Sequence, residues 1–241
     1  MESLSFPEHI PAERGFVHFF GTRQSPAPLI NTVRVGQVTA VPPDYPCVIS
    51  LKQVHGTDVL VCENPDDLKT VHGLEGDALV TSCSDVLLVV RTADCVPVLM
   101  ADVERNAVAA VHAGWRGTVA GIVRQTIRVM TEQYGTEPSN LRVAIGPSIG
   151  MCCFEVDRPV IDPIKEQWAD ACEVLKPTSP THAMVDLKKL IGYQLIEAGV
   201  SAASISQSTH CTNCDATRYF SYRREGRVNG TMNSGIMMRA H

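Results

Sequence analysis

Much is missing from this chain, and each absence closes off a class of function. No apolar run in its 241 residues reaches the roughly 18 that a membrane-spanning helix needs, so no membrane partner is expected. There is no surplus of positive charge: 21 Lys and Arg against 26 Asp and Glu leave a formal net charge of -5, which gives no footprint for nucleic acid. An anionic substrate must then be met by local arginines rather than by the field of the whole molecule. No P-loop or dinucleotide fingerprint is present, and no internal repeat, low-complexity tract or charged tail. The opening "MESLSFPEHIPAERGF" has acids and prolines where an export signal has a charged start and an apolar middle. A cytoplasmic protein is expected.

Cysteine is not scarce. The chain has nine, an odd number at irregular spacing with no export signal before them, so reduced thiols are expected rather than a disulfide framework. Cys211-x-x-Cys214 has the form of half a zinc site or of a redox pair, but a second CxxC is lacking, since Cys152 and Cys153 are adjacent.

The apolar pattern reads as α/β. Short runs at Ala78–Val80, Val86–Val90, Val96–Met100 and Ala107–Val111, bounded by small and polar residues, have the form of buried strands. "ADVERN" supplies a turn between the last two. The period then changes. Val119, Ile122, Val123, Ile127 and Met130 form one stripe of a helix, which Gly135 is placed to stop. Residues 141–146 read as a further strand. A second helix is expected behind Asp186 as N-cap, carrying Leu187, Leu190, Ile191, Leu195 and Ala198 inward and ending at Gly199. Strands are expected at about 204–208, 218–222 and 235–239. Pro-rich stretches occur at 26–28 and 42–46, and a third, "PTSP" at 177–180, reads as a surface loop within one domain. The fold class predicted is α/β, a layered sandwich with a mixed β-sheet core, as one domain over residues 1–241.

Three stretches put a metal-ligating side chain at a predicted strand end: "QVHG" with His55, "TADC" with Cys95 and "VHAGWRG" with His112. Their separations, 40 and 17 residues, are too long for a local clip and need a folded sheet to bring them together. Two imidazoles and a thiolate suit zinc or copper, and three protein ligands leave a fourth position for water or substrate. Two alternatives stand beside this reading. Cys95 and His112 have the chemistry of a nucleophile and its base, with Asp94 or Asp77 to orient the histidine. Or all three are satisfied core residues. Arg116, between Gly114 and Gly117 at the start of the helix stripe, is a candidate for binding phosphate, as are Arg91 and Arg23.

"LKQVHGTDV", "GDALVT", "RTADCVPVL", "VHAGWRGT", "AIGPSIGMCCFEV" and "YFSYRREG" occur in this order, and as a set they resemble the laccase-domain, or multicopper polyphenol oxidase, family over nearly the whole chain. The resemblance implies a layered α/β sandwich and puts the family's metal ligands on His55, Cys95 and His112. It implies phosphorolysis of adenosine, inosine and S-methyl-5'-thioadenosine, with deamination of adenosine. The substrates are then small purine nucleosides and phosphate, the metal zinc with copper as the alternative, and the state a monomer or homodimer. Cys95, His112 and Asp94 become the candidate catalytic residues. One branch of the family, the peptidoglycan editing factors, implies instead a Cys–His amidase acting on cell-wall peptide precursors. The older assignment, copper-dependent phenol oxidation, fits less well, because the eight histidines are scattered and include no His-x-His pair. "GTRQSP" stands where the family has a glycine-rich turn, and the C-terminal tail matches only loosely.

Overall fold

Alternation along the central strands decides the layering. In the strand over Val96–Asp102 every residue is buried, but neighbours face opposite ways. Val98 and Met100 point into one apolar cluster, Leu99 and Ala101 into another. A strand covered on both faces reads as a continuous apolar run rather than as an alternating one, which is how "VPVLM" and "AVAAV" appear in the sequence. The computed structural model describes residues 15–24, 47–64, 68–168 and 170–240. The Pro-rich stretches at 26–28 and 42–46 and most of the N-terminal segment lie outside these residues.

Among the described residues the strands are β1 (Phe16–Phe20), β2 (Cys47–Ser50), β3 (Val59–Cys62), β4 (Ala78–Thr81), β5 (Val86–Thr92), β6 (Val96–Asp102) and β7 (Ala107–Ala113) in the first half. They continue as β8 (Leu141–Ile145), β9 (Glu155–Asp157), β10 (Leu175–Pro177), β11 (His182–Val185), β12 (Ile205–Gln207) and β13 (Met232–Met238). A six-stranded mixed sheet in the order β12-β8-β6-β7-β4-β3 forms the centre. A four-stranded sheet, β1-β13-β5-β2, packs on one of its faces: Leu79, Leu99 and Ala110 of the first share a cluster with Phe16, Leu88, Val90 and Ile236 of the second. A third sheet of β10, β11 and β9 lies outside both.

Helices α3 (Ile122–Tyr134) and α5 (Leu187–Glu197) cover the other face of the six-stranded sheet, and α2 (Trp115–Val119) and α4 (Arg158–Gln167) pack into the same cluster. Short α1 (Leu68–Val71) instead places Val71 in the cluster between the two sheets, and α6 (Tyr222–Glu225) has no buried residue. Ile122, Val123, Ile127 and Met130 of α3 and Leu187, Leu190, Ile191 and Leu195 of α5 are buried against Val98, Met100, Ala109 and Val111. Each such side chain contributes roughly 1.5–3 kcal/mol relative to exposure. Asp186 caps α5, its side chain accepting from the Lys189 N–H, and Gly135 closes α3 in the left-handed conformation. The molecule is thus a layered α/β sandwich with a mixed sheet at its core.

The structure departs from the sequence expectations in three places. The stripe from Val119 to Met130 is not one helix: Gly121 at φ 84° breaks it into α2 and α3, a conformation glycine adopts without a Cβ penalty. Residues 218–222 are not a strand but a turn leading into α6, with fully buried Tyr219 and Ser221 as N-cap. The "PTSP" stretch, 177–180, is a loop as expected, the turn of the β10–β11 hairpin, and the third departure is a helix that no stripe announced. Prolines Pro159 and Pro163 hid α4, although Pro159 sits in the first turn, where its missing N–H costs nothing.

Candidate metal centre

The β6–β7 hairpin carries the centre. Its register pairs Pro97 with His112 and Val96 with Ala113, so Cys95, one residue before β6, ends up beside His112. Asp102 shapes the turn at the far end by accepting from the N–H groups of Glu104 and Arg105, which keeps the two strands in step. His55 arrives on the loop between β2 and β3. One donor atom from each of His55, Cys95 and His112 lies within 4.8 Å of the other two. The two rings stand edge to face, 4.8 Å between centroids.

Asp77 organises this group. It immediately precedes β4, which pairs antiparallel with β7 through Ala78 and Val111, so its carboxylate meets His112. The Asp77 Oδ1 to His112 Nδ1 distance is 2.7 Å with both side chains buried. That contact leaves Nε2 as the nitrogen free to act as a ligand. The same carboxylate accepts from the N–H groups of Val54, His55 and Gly56, at 3.3, 2.9 and 2.7 Å. One side chain therefore sets the orientation of His112 and the path of the loop that bears His55. His55 itself has φ 62°, a left-handed conformation that a non-glycine residue keeps only where its surroundings hold it. Gly114 is needed for a different reason. A Cβ there would come within 2.8 Å of His55 Cδ2 and 3.4 Å of Cys95 Sγ.

The electrostatics follow from this packing. Burial opposes charge on Cys95, but hydrogen bonds and positive charge from His112 and His55 outweigh it and bring the thiol down to about 7. Burial also disfavours the charged ring of His112, yet its hydrogen bonds with Asp77 and Cys95 raise it to about 9. Burial pushes Asp77 up, while the His112 contact and the Gly56 N–H hold it below the usual carboxylate range. A thiolate and an imidazolium side by side are the proton-loaded form of a metal site, and a cation competes with those protons. The donor set fits zinc or copper, and the Asp77 contact is the carboxylate–histidine support that metal ligands use. Among the described residues no fourth His, Cys, Asp or Glu joins the group. His55 is exposed while His112 is only 3% exposed, so the centre opens to solvent on the His55 side.

The other residues singled out in the sequence are elsewhere. The Asp94 carboxylate does not reach the histidines. It accepts from Thr212 Oγ1 at 2.6 Å, Ser221 Oγ at 3.0 Å and the Arg223 N–H at 2.7 Å, tying the Cys95 loop to the C-terminal segment. Asp77, named beside it as the orienting acid, takes that position instead. Arg23 donates to the Ala216 carbonyl and lies over Phe220. Arg91 exchanges backbone hydrogen bonds with the Gln53 amide, and its Nε is buried without a partner. Arg116 is exposed, stacks on Trp115 at 4.2 Å and lines a cavity of about 410 Å³ together with Phe154, His182 and Arg223. Of the three arginines, Arg116 alone belongs to the segment directly following His112. Sequence reasoning missed Gly114 as a spacing residue and the link from Asp94 to Thr212 and Ser221. Only a fold brings those together.

A layered α/β protein with a two-histidine, one-cysteine centre at a hairpin end is a narrow class. The chain belongs to the family described as multi-copper polyphenol oxidoreductase laccase, which it matches over residues 29–239. It is 39% identical over 165 residues to adenosine deaminase RL5 from an unknown prokaryotic organism, covering 68% of this chain and 63% of that protein. To purine nucleoside phosphorylase YlmD of Geobacillus stearothermophilus it is 35% identical, over 76% of this chain and 69% of the relative. The chain thus spans about two thirds of the length of these curated relatives. The crystal structure of YlmD from Geobacillus stearothermophilus superposes with a TM-score of 0.83 at 29% identity, covering 98% of this chain and 99% of that one. No helix among the described residues is long and apolar enough to cross a membrane.

Proposed function

We propose that this protein is a metal-dependent purine nucleoside phosphorylase that takes adenosine, inosine and S-methyl-5'-thioadenosine, with adenosine deaminase activity at the same centre. The observation that carries the reading is the convergence of His55, Cys95 and His112 within 4.8 Å, backed by Asp77 and open on the His55 side. The names of the relatives, one a deaminase and one a phosphorylase, support the same chemistry. His55, Cys95 and His112 would hold the metal, and zinc suits a reaction that needs a Lewis acid and no redox change. Bound there, the ion supplies Lewis acidity that lets an oxygen react near neutral pH.

The remaining roles fall to the chain. Asp77 keeps a proton on Nδ1 of His112, so that Nε2 stays directed at the donor group. Arg116 offers a fixed positive charge beside the cavity, where an exposed guanidinium grips phosphate through paired N–H groups. Phosphorolysis needs that anion positioned against the sugar, whereas deamination needs only water near the purine amine. The test is to supply zinc, adenosine and phosphate to the pure protein and to follow adenine, ribose 1-phosphate and inosine. Formation of the first two with phosphate, and of inosine without it, is expected; none of the three would refute the proposal. The contact of thiol and imidazole also fits a Cys95–His112 amidase, in which the thiolate attacks a carbonyl. In metal-stripped protein, that reading requires Cys95 to be alkylated faster than any other thiol and a peptide amide to be cleaved without metal.

A further inference from the structure

Far along the chain from the first centre, four cysteines meet. Cys152 and Cys153 lie on the turn between β8 and β9, and Cys211 and Cys214 on the segment between β12 and α6. Their four sulfurs all lie within 4.8 Å of one another. Cys214 Sγ is 3.6 Å from that of Cys152 and 3.4 Å from that of Cys153. We propose that these four thiols hold a structural zinc ion that staples the two segments together.

The geometry suits such a site. Zinc–thiolate bonds of about 2.3 Å in a tetrahedron put the sulfurs about 3.8 Å apart, between the shortest contacts here and the outer limit of the group. A disulfide needs about 2.05 Å, and all four cysteines are free. Both segments are tight turns, a form that suits chelation: the N–H groups of Cys153 and Phe154 donate to the Gly150 carbonyl, and the Asp215 N–H donates to the Cys211 carbonyl. The Gly150 N–H points at Cys211 Sγ, 3.2 Å away, a contact that favours the thiolate form a zinc ligand requires. Space at Gly150 is also tight, since a Cβ would lie 3.2 Å from Cys152 Sγ and from Cys211 Cβ and would press on both.

Two further features fit the charge and the access. Four thiolates around a divalent cation carry a net charge of -2. A buried ammonium, Lys188, stands beside them, donating to the carbonyls of Ser208 and His210 at 2.8 and 3.0 Å. Cys152 and Cys214 are exposed, and a cavity of about 410 Å³ lined by Cys211, Cys214 and Arg218 opens at the cluster, so an ion has a way in. Four thiols give up four protons as the ion enters, and no redox step is needed. The staple would steady the first centre from behind: Thr212, next to Cys211, donates to Asp94, the neighbour of Cys95, and the Ile149 N–H donates to the Asp94 carbonyl.

The test uses the full chain carrying Cys95→Ala, which removes a ligand from the first centre. Loaded anaerobically with cobalt(II), it is expected to bind one equivalent with intense sulfur-to-metal charge transfer and tetrahedral visible bands. With zinc instead, Cys152, Cys153, Cys211 and Cys214 should be protected from alkylation while Cys172, exposed and outside the cluster, reacts. Cys214→Ser should lose one zinc per chain, and Cys172→Ser none. Should Cys214→Ser fail to fold, the cobalt spectrum decides by itself. Absence of the charge-transfer band, or a Cys153–Cys214 disulfide in chain kept anaerobic with zinc, overturns the proposal.

Discussion

Cys95 and His112 sit at the end of the β6–β7 hairpin, held by strand register, with His55 brought to them on the β2–β3 loop, whereas Cys152, Cys153, Cys211 and Cys214 sit on two turns outside any strand, joined to each other by the Ser148–Cys211 bridge. The first group mixes nitrogen with sulfur, has three donors, keeps one side exposed and leans on a buried carboxylate. The second is all sulfur, has four donors and leans on a backbone N–H. Catalytic sites leave a coordination position open on a rigid scaffold, and structural sites close it and join chain segments. The three-donor group has the form of the first and the four-donor group the form of the second, and Asp94 is the seam between them: its backbone and side chain bind the segments of the second group, and its neighbour Cys95 belongs to the first.

Substitutions can separate the two groups. The largest effect is expected from Asp77→Ala. It strips His112 of its partner and frees the Val54–Gly56 loop, so the first centre should lose its metal and the fold about 3–5 kcal/mol, read by denaturant unfolding. Elemental analysis should find the four-cysteine group still loaded. Asp77→Asn, which keeps the shape, should weaken metal binding at the first centre about 10–100-fold. Next comes Gly114→Ala. Its Cβ at 2.8 Å from His55 forces the ring aside, and a displacement of about 1 Å costs on the order of 100-fold in rate, with the unfolding midpoint nearly unchanged. Asp94→Ala cuts the seam. It leaves three donors without their acceptor, costs roughly 1–3 kcal/mol and should speed alkylation of Cys211 and Cys214; if those thiols react as slowly as in wild type, the two groups are not coupled. The smallest effect is that of Arg116→Ala, expected to raise the KM for phosphate about tenfold while leaving metal content and deamination intact.

Much of this was legible before folding. The apolar runs at 78–80, 86–90, 96–100 and 107–111 marked strands because residues covered on both faces are apolar at every position. The stripe in α3 was visible because amphipathic spacing survives any tertiary context. His55, Cys95 and His112 stood out through their motifs, and the hairpin turn at "ADVERN" already suggested how two of them meet. Other features exist only in three dimensions. Nothing local distinguishes Asp77 from Asp94 as the acid behind His112; the β4–β7 pairing does. Cys152–Cys153 lacked the spacing of a metal clip, and it completes a tetrad only because β12 runs parallel to β8, with Ile205 opposite Val143, which brings the following segments together. The segment from Glu155 to Val185 was opaque for a local reason: its strands are three or four residues long and its helix contains two prolines.

Everything proposed for the first centre depends on His55, Cys95 and His112 together holding a metal ion. Elemental analysis of the purified wild-type chain beside Cys95→Ala tests it most directly. The substitution is expected to remove about one equivalent of zinc per chain, whatever the four-cysteine group retains, and to abolish turnover of adenosine. Equal metal content in the two proteins would contradict it.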